Sequence, residues 1–377
     1  MTEIIFRYYS EGDEESIVKL LGDAFGVWPK VDVDPLDYWR WKYRDNPYWK
    51  NDVSIALAGE EIVGCKHSVY LRLKVGEEVL DCTIGSDLAI HEGYRGRGVS
   101  KDLGSLSSQK KKEFGHDFSY YVVSNPILVR QKRNKQRRAT LPHQVKVYAL
   151  IKDIDEQIEK MPVENPRLKK TGFKIAAAIN RLLRYNAAGR RGELVVRRIQ
   201  DFDSRAEDFY RKVSDEYDFI VERSLPYLTW RYADPRKGRY EIMVAEENDE
   251  IQGYCVSFIN RFRKDYPIGY VVDLLSSPKR TDVMSALLEE AVRHFNDNDV
   301  NIVTALVVDG SPLEKVMNAK GFLDSRERLN VFLGTKGSKM KSETVQKTLR
   351  QCTPRKLHFS YGDIDTVPVD IPGTRII

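Results

Sequence analysis

Along the chain, short apolar runs of strand character alternate with stretches of helical period, in a pattern that occurs twice. Phe6-Arg7-Tyr8 precedes a helix-like segment from Asp13 to Phe25, and Val196-Arg197-Arg198 precedes one from Asp203 to Val213. Val53 to Leu57 and Glu241 to Ala245 both read as strands, each followed by a turn and a second strand. Asp87-Leu88-Ala89-Ile90 answers to Asp273-Leu274-Leu275, followed in each case by a loop and a helix. Two short matches fix the offset. Trp41-Lys42-Tyr43-Arg44-Asp45 returns as Trp230-Arg231-Tyr232-Ala233-Asp234, and Glu61-Ile62-Val63-Gly64 returns as Glu250-Ile251-Gln252-Gly253, both 189 residues on. The chain therefore reads as two copies of one α+β unit, placed at residues 1–152 and 193–335.

The segments outside the repeat differ in character. Residues 153–192 read as a basic helical linker. From Asn165 to Arg191 the chain carries Arg167, Lys169, Lys170, Lys174, Arg181, Arg184, Arg190 and Arg191, with no acid until Glu193. Phe173, Ala176, Ala177, Ile179, Leu182 and Leu183 recur at roughly helical spacing, which predicts an amphipathic basic helix. It is either a connector with its charged face in water or a surface for anionic lipid or a phosphorylated substrate. A second basic cluster runs from Arg130 to Arg138. The tail, residues 336–377, is expected to brace the second unit. It holds a short helical segment near Val345 to Leu349 and an alternating stretch, Lys356 to Tyr361, that reads as an edge strand.

A chain of 377 residues suits two domains, and 41% hydrophobic residues suffice for their cores. The net charge of +5 is small, so nucleic acid is not an expected partner, although an anionic ligand is. The start lacks the basic-then-apolar pattern of a signal peptide. No stretch approaches the ~18 apolar residues that would cross a bilayer. Cys65, Cys82, Cys255 and Cys352 are far apart and read as buried free thiols of a reducing compartment. The histidines show no ligand spacing, so no metal is expected. The expected location is the cytoplasm.

The segment richest in chemistry runs from Thr83 to Phe114. Ile84 to Ile90 is a strand candidate containing Asp87, Tyr94-Arg95-Gly96-Arg97-Gly98 follows, and Val99, Leu103 and Leu106 begin a helical period. A strand, a glycine-rich turn and a helix start present several backbone amides to a phosphate. Glycine lets the backbone approach the oxygens closely, and Arg95, Arg97 and Lys101 add charge-assisted contacts. The spacing fits neither standard nucleotide fingerprint. By itself it is also compatible with a flexible surface turn.

Asp87-Leu88-Ala89-Ile90-His91-Glu92-Gly93-Tyr94-Arg95-Gly96-Arg97-Gly98-Val99-Ser100 resembles the acyl-CoA-binding motif of the GCN5-related N-acetyltransferases, the GNAT superfamily. Arg95, Gly98 and Ser100 stand at the three defining positions of Gln/Arg-x-x-Gly-x-Gly/Ala, with serine in place of the usual glycine or alanine. The resemblance implies an α+β fold: two tandem GNAT-like domains, each a mixed, mostly antiparallel twisted sheet flanked by helices. It implies that amides around Gly96, Arg97, Gly98, Val99, Ser100 and Lys101 bind the pyrophosphate of CoA. The strand residues Leu88, Ala89 and Ile90 would pair with the pantetheine arm. Tyr120 to Pro126 resembles the next strand, which splays away, with Asn125 at the turn that meets the cofactor. In the second unit Ser276 to Asp282 holds the place of the loop without any glycine, so that unit reads as degenerate, a support and one half of an acceptor cleft.

The family transfers an acyl group from the thioester to an amine, with a carboxylate or an ordered water as base and often a tyrosine as acid. Asp87 is the candidate base or water-positioner, or alternatively a structural residue at a strand bulge, since Asp273 repeats it. The usual helix tyrosine has no counterpart, which leaves Tyr121, Tyr148 or no side chain as the acid. The aromatic run Tyr38 to Tyr43 is expected to be core packing that borders the acceptor site. The resulting expectation is an enzyme, a monomer or homodimer, that moves acetyl from acetyl-CoA (or another acyl-CoA) to a small primary amine such as an amino sugar or amino acid. The alternative is a non-catalytic CoA-binding module whose basic segments dock on nucleic acid or membrane.

Overall fold

In the computed structural model, which describes residues 3–123, 138–160, 194–334 and 342–365, the alternating runs become strands. The first half gives β1 (Ile4–Tyr8), β2 (Ser54–Ala58), β3 (Glu61–Val75), β4 (Glu78–Ile90), β5 (Phe118–Val123), β6 (Arg138–Thr140) and β7 (Val145–Ile151). The second half gives β8 (Val195–Ile199), β9 (Phe219–Val221), β10 (Tyr240–Glu247), β11 (Glu250–Asn260), β12 (Ile268–Ser276), β13 (Ile302–Val308) and β14 (Leu323–Gly334). The longer strands run in the order β1-β2-β3-β4-β5-β14-β7-β13-β12-β11-β10-β8. Neighbours are antiparallel except the parallel pairs β4/β5 and β12/β13.

The order reads alike from both ends, as the repeat requires. At its centre the halves exchange strands. β7, from the first half, pairs along its whole length with β13, while β14, from the second half, pairs with β5 and then with β7. Each half-sheet is thus completed by the last strand of the other. Helices cover the faces: α1 (Glu14–Phe25), α2 (Pro35–Trp39), α3 (Val99–Glu113), α4 (Ile154–Lys160), α5 (Ser204–Ser214), α6 (Leu225–Leu228), α7 (Thr281–Asp297), α8 (Pro312–Ala319) and α9 (Glu343–Gln351). This is the mixed α+β architecture of two tandem units. The part of the basic linker from residue 161 to 193 lies outside the described residues, and no helix among those described is long and apolar enough to cross a membrane.

The duplication extends to fine detail. α2 and α6 each run on into a single π-helical turn, Arg40–Arg44 and Thr229–Ala233. The tryptophans of these turns meet on the pseudo-twofold axis. Trp41 and Trp230 stack with ring centroids 5.5 Å apart, and each indole N–H donates to the other's carbonyl, at 2.7 and 2.8 Å. The aromatic run is therefore core, with Trp39, Trp41 and Tyr43 buried.

Two glycines of the repeat set how closely a helix approaches each half-sheet. A Cβ at Gly64 would stand 3.1 Å from Val99 Cγ1 and 3.3 Å from Leu103 Cδ1, under α3. A Cβ at Gly253 would stand 2.8 Å from Val283 Cγ1, under α7, and 2.8 Å from the Leu275 carbonyl oxygen. Backbone cannot rotate aside as a side chain can. Gly253→Ala is expected to destabilise the chain by about 1–3 kcal/mol, and Gly64→Ala by less. Thermal unfolding of the two variants checks this, and an unchanged midpoint for Gly253→Ala would refute the close approach.

The tail departs from the expected edge strand. Leu357 makes one isolated parallel bridge, to Phe219, and the flanking segments are 3₁₀ turns, Pro354–Lys356 and Tyr361–Asp363. Leu357, Phe359 and Tyr361 are buried against the sheets, and so are the polar His358 and Ser360 between them, so the segment is enclosed on all sides rather than added to an edge.

Candidate functional site

β4 and β5 pair only at Cys82–Phe118, Thr83–Ser119 and Ile84–Tyr120, although β4 continues to Ile90 and β5 to Val123. The other edge of β5 is taken by β14, with Tyr120 opposite Leu333, Tyr121 opposite Phe332 and Val122 opposite Val331, so beyond Tyr120 the edge of β5 that faces β4 has no partner strand among the described residues. A wedge therefore opens between two parallel strands. On its β4 wall the register passes from Cys65–Ala89 to His67–Ser86, leaving Asp87 and Leu88 opposite Lys66 alone. That is a β-bulge, and Asp87 sits in it at φ 29°. The bulge turns Leu88 outward, 42% exposed, while Ala89 is buried and Ile90 half-buried.

β4 ends in the 3₁₀ turn Glu92–Tyr94, and the Arg95 guanidinium donates back to the Ile90 carbonyl at 3.1 Å. Gly96 and Gly98 follow at φ 76° and 84°, a left-handed geometry that side chains other than glycine resist. Gly98 is the N-cap of α3, and no side chain accepts from the first helical amides. Val99 and Leu103 fix the helix start by packing on Ala56, Ala58 and Val63. The loop is thus a helix N-terminus held open, where dipole and amides favour an anion. Arg97 lies over the Tyr94 ring, 5.1 Å from its centroid. Among the described residues Arg95, Arg97 and Lys101 have no carboxylate partner, and Gly96, Gly98 and Ser100 are exposed beside them.

Leu88 to Ile90 therefore lead directly into the loop from Arg95 to Lys101, while Tyr121 stands on the β5 wall beside Gly85 of β4. The Tyr121 ring comes within 3.7 Å of where a Cβ on Gly85 would stand. Asn125 and the basic residues 130–137 lie outside the described residues. Tyr148 is elsewhere, on β7 in the second half's core, where its hydroxyl donates to Glu314 at 2.8 Å.

Asp87 is not a free carboxylate. Its Oδ2 accepts from the fully buried Lys42 Nζ at 2.8 Å and from the Tyr43 hydroxyl. Burial pushes the Asp87 pKa up, but the Lys42 charge and the hydrogen bonds from Lys42 and Tyr43 outweigh it and hold the pKa below the ordinary value. His67 holds the main chain of the bulge. Its Nδ1–H donates to the Asp87 carbonyl at 2.9 Å, because Nε2 accepts from the Trp39 indole at 3.0 Å. Burial lowers the His67 pKa to about 4, so the ring is neutral. Neither ring nitrogen has a lone pair to spare for a substrate proton.

The second unit repeats this frame and closes it. β12 and β13 part beyond Val271–Ala305, as β4 and β5 do. The opening is filled by the chain's own tail. Leu357, His358 and Phe359 enter among Val271, Leu274, Met284 and Leu306, leaving a cavity of about 30 Å³. The second loop's cations are already neutralised: Arg280 pairs with Asp282 at 2.8 Å and Glu247 at 3.1 Å, and Lys279 with Glu216 at 2.8 Å. Asp273, the counterpart of Asp87, accepts from Arg223 at 2.9 Å, Tyr232 at 2.8 Å and Tyr254 at 2.9 Å. Burial pushes its pKa up, yet Arg223, His358 and these hydrogen bonds hold it down at about 2. Arg223 also grips Asp363 of the tail at 2.6 Å.

From that anchor the tail crosses to the first wedge. The Tyr120 hydroxyl donates to the Asp363 carbonyl, and Arg231 donates to the Ile364 carbonyl at 2.5 Å. Asp365 then accepts from the Ser86 hydroxyl at 2.8 Å and stands 3.7 Å from Lys42 Nζ. Sequence reasoning missed Lys42, Arg223 and Asp365. The repeat carried one signal for the first, since Lys42 and Arg231 are cations at equivalent positions before equivalent aspartates. Nothing local marks Asp365.

Residues 6–132 match a family model described as an acetyltransferase (GNAT) domain. No curated protein matches the sequence. Among solved structures the chain is similar to N-myristoyltransferase of Saccharomyces cerevisiae with bound myristoyl-CoA and inhibitors, at 11% identity and a TM-score of 0.60, over 95% of this chain and 87% of that one. It is also similar to a GCN5-related N-acetyltransferase from Anabaena variabilis, at 11% identity and a TM-score of 0.58, over 87% of this chain and 72% of that one. At such identity the likeness is one of fold, and it spans both units. Residues 6–132 are thus similar to a GNAT acetyltransferase domain, and the whole chain shares the fold of these two solved structures.

Proposed function

We propose that the chain is an acyl-CoA-dependent N-acyltransferase with one cofactor site, moving a short acyl group, acetyl, to the primary amine of a small molecule such as an amino sugar or amino acid. The observation that carries this reading is the asymmetry of two equivalent wedges. The first keeps an open glycine loop whose Arg95, Arg97 and Lys101 have no carboxylate partner among the described residues, while the second has a neutralised loop and is filled by the tail. In this reading the amides from Gly96 to Ser100 and the three cations bind the phosphates of CoA. The outward edge of Leu88 to Ile90 hydrogen-bonds the pantetheine arm, which sets the thioester at the wedge vertex beside Ser86 and Asp87.

There the amine, its ammonium form having first given one proton to solvent, attacks the carbonyl carbon, the C–N bond forms as the C–S bond breaks, and one proton from the nitrogen ends on the departing thiolate. Backbone N–H at the bulge faces the developing oxyanion. Asp87, its Oδ2 held by Lys42 and Tyr43, serves to hold the bulge, and in this reading Tyr121 on the opposite wall passes the proton to the thiolate. A short acyl group fits because Tyr120, Ser86 and the tail from Asp363 to Asp365 close the vertex.

Calorimetry with acetyl-CoA, followed by thiol release with glucosamine, lysine and spermidine, tests the reading. The expected result is one acetyl-CoA per chain and amine-dependent release, with myristoyl-CoA a poorer donor. Two acetyl-CoA per chain, or none, would overturn the single-site assignment. Binding without turnover on any amine would make the chain a binding module.

A further inference from the structure

Both ring nitrogens of His358 face acceptors. In the plugged second wedge its Nε2 lies 3.2 Å from the Leu274 carbonyl oxygen and 3.4 Å from Asp273 Oδ1. Its Nδ1 lies 3.8 Å from Asp363 Oδ2 and has no hydrogen-bond partner among the described residues. A neutral imidazole carries one N–H and one lone pair. With the N–H on Nε2, the lone pair of Nδ1 faces a carboxylate, whereas an imidazolium presents a donor on both sides. His67 is the contrast: its Nε2 accepts from the Trp39 indole, so a neutral ring satisfies both neighbours.

The charge count points the same way. His358 is 8% exposed, and Arg223, Asp273 and Asp363 are wholly buried. A neutral His358 leaves two carboxylates against one cation, an imidazolium balances them, and uncompensated buried charge is costly. The other ionisable groups of this site do not change the count. Tyr232 and Tyr254 donate to Asp273, and Tyr217 meets the His358 ring edge-on at 5.8 Å. Burial raises the pKa of all three phenols, so they stay neutral. Arg355 and Lys356, just ahead on the tail, are exposed, with Lys356 paired to Asp218 at 3.2 Å.

We propose that His358 is a pH-sensitive latch for the tail: its imidazolium form holds residues 357–363 in the second wedge, and loss of its proton loosens them. Since the docked tail favours the protonated ring, docking is firmest in acid and weakens as the solution turns basic. The latch reaches further than the second wedge. Arg223 and His358 face the Asp363 side chain, while the Asp363 carbonyl accepts from Tyr120 at the first wedge. Ile364 on Arg231 and Asp365 on Ser86 come next along the chain. A loosened Asp363 therefore also frees the segment that lies against the first wedge. The latch is independent of what that wedge binds.

Hydrogen exchange of the full chain, read by mass spectrometry and corrected for the intrinsic rate at each pH, tests the latch. Protection of residues 357–365 is expected to fall at least tenfold from pH 5.5 to pH 8.5, while that of β2 and β3 is unchanged. Histidine is the side chain that ordinarily changes charge in this interval. Asp273, held at about 2, stays ionised throughout, and burial keeps His67 and His116 neutral by lowering their pKa to about 4 and about 3. His143 approaches the tail at the Cys352 carbonyl, 2.7 Å away, so His143→Gln is the control and should keep the wild-type response. In His358→Gln, protection should be low and equal at the two pH values. Nitrogen-15 NMR of labelled histidine rings is expected to show His358 doubly protonated at pH 5.5. A neutral His358 at pH 5.5, wild-type protection that does not change with pH, or loss of the response in His143→Gln would overturn the latch. Should His358→Gln fail to fold, exchange in the wild type and in His143→Gln still decides.

Discussion

Replacing Lys42 with methionine is expected to destabilise the chain by about 3–5 kcal/mol, because removing one partner of a buried ion pair leaves the other charge without compensation. Lys42 is fully buried and Asp87 nearly so, and the Lys42 charge opposes the cost of burying that carboxylate. The loss is a large share of an ordinary domain's stability. Its pH dependence has a definite sign. In the wild type the folded pKa of Asp87 lies below its unfolded value, so the stabilisation is present above the unfolded value and fades as pH falls through the folded one. In Lys42→Met the burial that raises the pKa acts with less opposition, so Asp87 opposes folding at neutral pH and the penalty eases as the solution is acidified. The gap between variant and wild type should therefore narrow toward pH 4. Adding Asp87→Asn to Lys42→Met should recover most of the loss. Denaturant titrations at pH 7 and pH 4 check all of this, and equal stability of wild type and Lys42→Met at pH 7 would refute the pairing.

Replacing Gly98 with tyrosine is expected to weaken acetyl-CoA binding at least a hundredfold, about 2.7 kcal/mol, while the chain stays folded. There is room for a side chain, since the nearest atom to a Cβ is Asp102 Oδ2 at 4.0 Å. The obstacle is conformational. At φ 84° a residue other than glycine carries a strain of about 1–2 kcal/mol. Relaxing it would rotate the amides at the start of α3 away from the phosphates, and the new side chain would block their approach. Gly104→Ala, within the same helix with open space around it, controls for general effects and should be neutral or slightly stabilising. Calorimetry with acetyl-CoA and a melting curve separate the two outcomes. Undiminished binding in Gly98→Tyr would show that the cofactor's phosphates do not sit on this loop.

The repeat and the loop were legible because each is local. The match of Trp41 to Trp230 carried the duplication, and the glycines between strand and helix carried the left-handed turn into an uncapped helix start. The bulge at Asp87 was open to sequence only as one of two readings, because a strand aspartate looks the same whether it faces substrate or Lys42. The pairing depends on the π-helical turn that directs Lys42 inward, and a turn of that kind has no composition of its own. The tail was misread as an edge strand for a related reason. Alternation suggests a strand with one face in water, whereas the wedge buries the polar His358 and Ser360 along with Leu357, Phe359 and Tyr361. Asp365 was invisible, since its place is set by the contacts of Asp363 with Arg223 and Tyr120 and of Ile364 with Arg231, each across more than 130 residues of sequence.

The exchange of β7 and β14 bears on how the chain is made and kept. Synthesis delivers β5 long before β14, so the outer edge of β5 waits, with its amides and carbonyls unpaired, until almost the whole polypeptide has emerged. An open edge of that kind invites pairing with the wrong chain. It also ties the fates of the two units together. A second unit whose loop lacks glycine and has paired cations still supplies a strand of the first unit's sheet, so it cannot be deleted as a module.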